Sequence, residues 1–185
     1  SLRIVSNLTP IGKHDHYDLI LTNDLIVRFT DPRRFGSLHW TREPPENHAL
    51  LAKLGLEPLS AKFDGAWLYR ASRGRSASIK QFLMDQHQVV GVGNIYANES
   101  LFRAGVHPHI PARRVRLERC ARIVSAIKHT LDLALKAGGS TLRDFVNCEG
   151  EPGSFQLNYR VYDRTGKPCY RCHGPIKTTR QGQRG

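Results

Sequence analysis

The sequence predicts an α+β chain: a partial antiparallel β-sandwich, then a helical region, then a short cysteine-bearing module. Three observations carry that expectation. Residues 2–40 alternate apolar and polar with a period of two. From residue 46 to residue 137 the apolar positions recur at helical spacing. Cys169 and Cys172 are spaced Cys-x-x-Cys near the end of the sequence.

Leu2, Arg3, Ile4 and Val5 suit a short strand. Tyr17, Leu19 and Leu21 fall on one face of a second strand, Asn23 and Asp24 make a tight turn, and residues 25–29 return as its hairpin partner. Residues 36–40 are expected to add a further strand. Three or four strands do not close a sandwich, so a preceding block of chain is expected to complete it. Pro44, Pro45 and the Gly55–Pro58 region mark the exit from the sheet. Residues 76–86 carry Ile79, Phe82, Leu83 and Met84 at helix spacing. Residues 88–102 read as helix, glycine-opened turn and second helix, the latter starting at Asn94. Residues 115–137 form the clearest helix, with an apolar stripe of Leu117, Cys120, Ala121, Val124, Ile127, Leu131, Ala134 and Leu135. Glu118, Arg122, His129 and Lys136 lie opposite, and Gly138 and Gly139 end the helix. Residues 140–158 read as a loop, and 156–162 as a strand leading to Cys169.

Lys and Arg total 28 against 16 Asp and Glu, a net charge of +12. That surplus points to a polyanion, nucleic acid first, with an anionic membrane or a merely soluble basic surface as alternatives. No apolar run approaches the ~20 residues of a membrane span, and the start has no signal-peptide pattern. The cysteines suggest no disulfide scaffold, so a reducing, cytoplasmic compartment is expected. Ser1 stands where a Met would open a complete chain, which suggests a fragment or a processed product.

Local chemistry leaves several motifs open. The glycines of the 91–94 turn let a backbone approach phosphate, and the helix start offers free N–H groups; an ordinary helix–helix turn fits equally. Asp31-Pro32-Arg33-Arg34-Phe35-Gly36 suits a duplex wedge or a charged hairpin tip with Phe35 turned inward. His14 and His16 suit a metal only with a third ligand that the sequence does not supply; a solvated strand start is the alternative. Arg75 and Lys80 suit phosphate or solvent. Cys169-Tyr170-Arg171-Cys172-His173 reads as a haem attachment or as half of a four-cysteine zinc site. Haem needs an export route and a distal ligand, and the single Met84 sits on a predicted helix face. Cys120 on its apolar stripe and Cys148 in its loop are poor substitutes for a second pair.

Residues 31–36, the stretch 89–102 and the Cys-x-x-Cys pair, in that order, resemble the formamidopyrimidine-DNA glycosylases, base-excision enzymes related to endonuclease VIII. The resemblance implies a β-sandwich remainder over 1–45, a helix–two-turn–helix domain with a lesion-capping loop over 46–160 (the loop at 140–156), and a truncated zinc-finger hairpin over 161–185. It implies a bifunctional glycosylase and abasic-site lyase that removes 8-oxoguanine and formamidopyrimidines with β,δ-elimination. The partner implied is double-stranded DNA with an oxidised base or abasic site, at the nucleoid, bound by a monomer. The family's N-terminal proline nucleophile, its adjacent glutamate and a sandwich lysine have no counterpart here. The chain is therefore expected to be truncated at both ends, catalytically incomplete and DNA-binding.

Residue by residue, the resemblance assigns Asn94 and Tyr162 to phosphate, Arg33 and Phe35 to the gap opposite the lesion, and His14, Arg75 and Lys80 to further DNA contacts. Arg184 is assigned to phosphate and as proton donor in elimination, and Cys169 and Cys172 to half of one zinc site. Competing expectations are a non-catalytic DNA- or RNA-binding module and a haem or redox protein.

Overall fold

A computed structural model describes residues 1–139, 153–182 and 184–185. The chain divides into two compact units, Ser1–Trp40 with Leu133–Asn158, and Thr41–Asp132 with Tyr159–Gly185. No helix among the described residues is long and apolar enough to cross a membrane.

The first unit holds β1 (Leu2–Val5), β2 (Asp15–Ile20) and β3 (Ile26–Thr30), antiparallel in the order β1-β3-β2. Leu2 pairs with Phe29 and Ile4 with Val27, while Tyr17 and Leu19 meet the same two residues from the other side. Cross-strand partners share a face, so these six apolar side chains make one face of the sheet. Leu2, Ile4 and Leu19 remain 51%, 49% and 47% exposed there, as in one layer of a sandwich. On the opposite face Arg28 is buried. Its guanidinium donates to both Asp18 carboxylate oxygens at 2.9 Å and to the Pro10 carbonyl at 2.8 Å. The hairpin closes with the Leu21 N–H on the Leu25 carbonyl at 2.8 Å, and Asp24 is left-handed at φ 61°.

Two expected strands are absent among the described residues. Residues 36–40 form no strand. The Asp31 carboxylate takes the Gly36 N–H at 2.6 Å, so the chain is held by a side chain where a strand would need a neighbouring backbone. Residues 156–162 form no strand either. A 3-10 helix spans Phe155–Asn158, with Phe155 buried, and the chain beyond it is held in a turn by a buried carboxylate described below.

The second unit is helical. Asp64 caps α1 (Gly65–Ser72) by accepting the Trp67 N–H at 2.6 Å. Ser78 and Gln81 form a reciprocal capping box on α2 (Ile79–Leu83). Helix α3 (Asn94–Ala104) ends on left-handed Gly105, φ 66°. The 20-residue α4 (Leu117–Lys136) follows a 3-10 turn at Ala112–Arg114. Phe63, Leu68, Ile79, Leu83, Leu101, Ile123 and Ile127 fill the core between them. Gly65 lets α1 approach α4 closely, since a Cβ there would lie 2.7 Å from the Ala121 Cα.

Helix α2 is shorter than the periodicity of 76–86 suggests, because Met84 closes it as C-cap. The buried face of α4 is also rotated from the expected stripe. Ile123, Ala126 and Thr130 are buried beside Cys120, Val124, Ile127 and Ala134, while Leu117 and Leu135 stand 46% and 67% exposed. The leucines sit at the two ends of the helix, past the neighbours that cover its middle turns. The second half of the 140–158 loop survives as the short helix above, and residues 140–152 lie outside the described residues.

Candidate nucleic-acid interface

The turn into α3 is built by packing and left open by composition. Val89 and Val92 are buried. The Leu56 N–H donates to the Gln88 carbonyl at 3.0 Å and the Val90 N–H to the Leu56 carbonyl at 3.1 Å, which clamps the segment to residues 55–56. Gly91 takes φ 72°, a left-handed conformation that disfavours other residues. Gly93 is the N-cap and has no side chain to offer the helix. The first intrahelical bond is Ala97 N–H to the Gly93 carbonyl at 2.9 Å, so the N–H groups of Asn94 and Ile95 have no acceptor within the helix. Free N–H groups and the positive helix end together suit an anion.

Asn94 lines a cavity of about 830 Å³ together with Lys80 of α2, Tyr162, Cys169 and Cys172. Lys80 is only 3% exposed; its Nζ donates to the Gly185 carbonyl at 2.9 Å, and burial lowers its pKa. The Tyr162 ring meets Tyr159 edge-on at 5.3 Å.

The position of Tyr162 is set by Glu99, a buried acid on α3 that sequence reasoning missed. Its Oε2 accepts the Arg160 N–H at 2.9 Å, and its Oε1 accepts those of Val161 at 2.9 Å and Tyr162 at 2.8 Å. An acid between buried Ala97 and Leu101 was the available signal. Arg73 was missed as well. Its guanidinium donates to the carbonyls of Ala112 at 3.2 Å and Val115 at 2.8 Å, and also to that of Arg113. It thus ties the end of α1 to the turn before α4.

The cysteine segment is a compact knuckle. The Cys169 N–H donates to the Gly174 carbonyl at 2.8 Å, the His173 N–H to the Cys169 carbonyl at 2.9 Å, and the Arg171 N–H to the Cys169 Sγ at 3.4 Å. The N–H groups of Arg171 and Cys172 lower the Cys169 pKa, as a thiolate metal ligand requires. Arg171 stacks over Phe102 at 4.8 Å and donates to the Arg103 carbonyl at 3.0 Å. These two thiols fit half of a tetrahedral zinc site. No group of three or more His, Cys, Asp or Glu that could hold a metal occurs among the described residues. Cys120 is buried in α4 with its thiol pushed up to about 11, first by burial, and cannot contribute; Cys148 lies outside the described residues. Met84 packs against the helical core, so it does not serve as a distal haem ligand. Toward the end of the chain, Gln181 and Arg184 form an isolated antiparallel bridge.

The remaining site residues divide between the units. In the first, the Asp31 carboxylate takes the N–H groups of Gly36 and Arg33 and its pKa is lowered, by the Gly36 bond first. That fold-back presents Phe35 at 81% exposure, with the Arg33 guanidinium 5.0 Å from its ring. The inward-turned alternative for Phe35 therefore fails. The half-buried His14 joins the same turn through its carbonyl, which accepts the Asp31 N–H at 2.9 Å. In the second unit, Arg75 is exposed and its carbonyl accepts the Arg113 N–H at 3.1 Å. Arg184 is exposed as well. Lys80, Asn94, Tyr162 and the cysteine pair are thus the members brought together. The proposed lesion-capping loop falls mostly on residues outside the described ones.

An α+β chain in which two short-spaced helices present an uncapped helix start beside a thiol knuckle defines a helix–two-turn–helix protein. Residues 54–146 match the formamidopyrimidine-DNA glycosylase H2TH domain family. A formamidopyrimidine-DNA glycosylase of Methylococcus capsulatus is 53% identical over 184 residues, covering 100% of this chain and 68% of the relative. One from Methylobacillus flagellatus is 54% identical, covering 93% and 62%. The crystal structure of the MutM (Fpg) protein from Thermus thermophilus superposes with a TM-score of 0.85 at 37% identity, over 99% of this chain and 68% of that one. The Lactococcus lactis Fpg in complex with abasic-site DNA gives 0.86 at 29% identity, over 99% and 67%. The chain belongs to the formamidopyrimidine-DNA glycosylase family and spans about two thirds of the length of these relatives.

Proposed function

We propose that this chain is the DNA-holding part of a base-excision glycosylase and abasic-site lyase for oxidised purines, 8-oxoguanine and formamidopyrimidines. The observation that carries the reading is the start of α3, where the N–H groups of Asn94 and Ile95 have no acceptor within the helix and Asn94 shares one cavity with Lys80 and Tyr162. A duplex phosphate seated there would take the N–H groups and the Asn94 amide as donors, with the Lys80 ammonium supplying charge. Phe35 and Arg33 would fill the gap left by an extruded base, with His14 and Arg75 on flanking phosphates. Arg184 would hold the phosphate beside the lesion and stabilise charge during elimination, a task suited to a group that stays protonated. Cys169 and Cys172 would supply two of four zinc ligands, in a module covering 161–185 that follows a helical domain over 46–160. Such a partner places the protein at the nucleoid. The names of its relatives, and the abasic-site duplex bound by the Lactococcus lactis Fpg, support this substrate class.

The test is the affinity of the 185-residue chain for a duplex with one abasic site against the same duplex intact, with borohydride trapping in the same samples. Preference for the abasic duplex without a covalent adduct is expected. Equal affinity for the two would overturn the glycosylase reading in favour of a general nucleic-acid binder.

A further inference from the structure

A second basic surface lies next to the helix–two-turn–helix and takes no part in the roles assigned above. Residues 113–122 contain Arg113, Arg114, Arg116, Arg119 and Arg122 against a single carboxylate, Glu118. All five arginines are exposed. None of their guanidinium groups donates a hydrogen bond or forms an ion pair among the described residues; the ion pairs found there join Arg3 and Arg28 to Asp15 and Asp18. Arg73, by contrast, is fully engaged in holding the turn that carries them. The backbone is thus fixed while five charges are left without partners among the described residues.

Their placement is ordered. Arg116, Arg119 and Arg122 recur every three residues and follow one edge of the start of α4. Positive charge at a helix N-terminus opposes the helix dipole, where acids would be the stabilising choice. The arrangement works against the stability of α4, and an anionic partner would offset it. The other end of the row is continuous with the proposed interface. The Ala112 N–H donates to the Ala77 carbonyl at 2.8 Å and the Arg113 N–H to the Arg75 carbonyl at 3.1 Å, so residues 75–78 and 111–113 run side by side.

We propose that Arg113, Arg114, Arg116 and Arg119 form a ridge that binds the phosphate backbone of the duplex arm beyond the lesion, extending the track that starts at Arg75. Guanidinium groups in a row, interrupted by the single acid Glu118 and set on rigid backbone, match a regularly charged backbone better than the mixed surface of an acidic protein. The ridge is sequence-blind. It adds affinity and salt sensitivity without adding lesion preference.

The ridge rests on the DNA reading, and the experiment separates the two. The chain and a variant with Arg113→Gln, Arg114→Gln, Arg116→Gln and Arg119→Gln are titrated with abasic-site duplexes of two lengths, one just covering the lesion and one with long arms. Glutamine keeps the helix, the four side chains hold nothing else in place, and circular dichroism checks that the variant is folded. Removal of at least two bound phosphates should flatten the slope of log K against log salt by about 2 on the long duplex. The parent then loses about tenfold more affinity than the variant between ~50 and ~200 mM salt. On the short duplex the two should coincide, and the ratio of abasic to intact affinity should be unchanged. Equal slopes on the long duplex would overturn the ridge, as would an equal loss on both lengths. If the parent shows no abasic preference but the long-duplex slope still flattens in the variant, the glycosylase reading fails and the ridge stands. Tight binding of the parent to an acidic polypeptide, with no salt-slope change on DNA, would assign the surface to a protein partner and also overturn the proposal.

Discussion

Glu99→Gln removes one negative charge from the centre of the second unit and leaves the volume unchanged. The parent carboxylate accepts three backbone N–H groups, two on Oε1 and one on Oε2, at 2.8–2.9 Å. A glutamine can keep its carbonyl oxygen on Val161 and Tyr162, but its amide nitrogen then faces the Arg160 N–H, donor against donor. One charge-assisted bond is removed and two are weakened. Bonds to a charged group contribute about 1.5–3 kcal/mol each, so the variant should lose about 2–4 kcal/mol. With a urea m-value of about 1–3 kcal/mol/M, the midpoint should fall by about 1–2 M. Glu99→Ala orphans all three N–H groups and should cost more. Hydrogen exchange locates the effect: the amides of 160–162 should lose protection in Glu99→Gln while those in the middle of α4 keep theirs under native conditions. Because Tyr162 is held only at its backbone by this acid, DNA affinity should fall even where the variant is fully folded. Unchanged protection at 160–162 together with an unchanged midpoint would refute the assignment of Glu99 as the anchor of the turn.

Phe35→Ala should leave stability within about 0.5 kcal/mol, as the ring is 81% exposed. It should reduce the abasic-over-intact affinity ratio about tenfold, the worth of one stacked ring; an unaltered ratio removes Phe35 from the wedge. Burial holds the Lys80 pKa below 10.5, so between the folded value and 10.5 the unfolded chain binds more protons and stability rises with pH. Lys80→Met should therefore be at least as stable as the parent at pH 7, with the difference shrinking towards pH 10.5, while binding DNA more weakly. Urea titrations at the two pH values decide it, and a widening difference contradicts the sign. In acid the first unit should loosen. Asp15 is raised by burial but lowered further by Thr30, Gly12, Arg3 and Arg28, and Asp18 is lowered chiefly by its bond to Arg28. The stabilisation is complete above the unfolded value of 3.8 and lost as pH falls through the folded values, so Asp15→Asn should flatten the acid transition seen by circular dichroism. With a thiol reagent at neutral pH, exposed Cys172 should label before Cys169, and Cys120 only on unfolding. Native-state labelling of Cys120 would show that the core opens there.

The legible parts of this chain were those with a local cause. The β2–β3 hairpin follows from Asn23 and Asp24 between two alternating runs, and the open start of α3 follows from Gly91, whose left-handed φ disfavours other residues, and from Gly93, which has no side chain to cap the helix. Periodicity located α4 but not its buried face. Two leucines at its ends outweighed Ala126 and Thr130 in the pattern, and only the neighbours at its middle turns decide which arc is covered. Residues 36–40 and 156–162 failed as strands for a shared reason. Each is held by one carboxylate, Asp31 or Glu99, accepting several backbone N–H groups, and an acid that replaces a strand partner leaves no period in the sequence. The same two acids hold the backbone next to Phe35 and Tyr162. In a chain with a charge of +12, Asp31 and Glu99 thus serve to fix backbone, while the arginines of 113–122 have no partner among the described residues. That division explains why motif resemblance singled out Asn94 and Phe35 but not Glu99. The former, an exposed ring and an amide lining a cavity, are chemistry that a DNA-binding pattern anticipates; Glu99 acts on backbone amides, and any sequence at 160–162 lacking proline would present the same three donors.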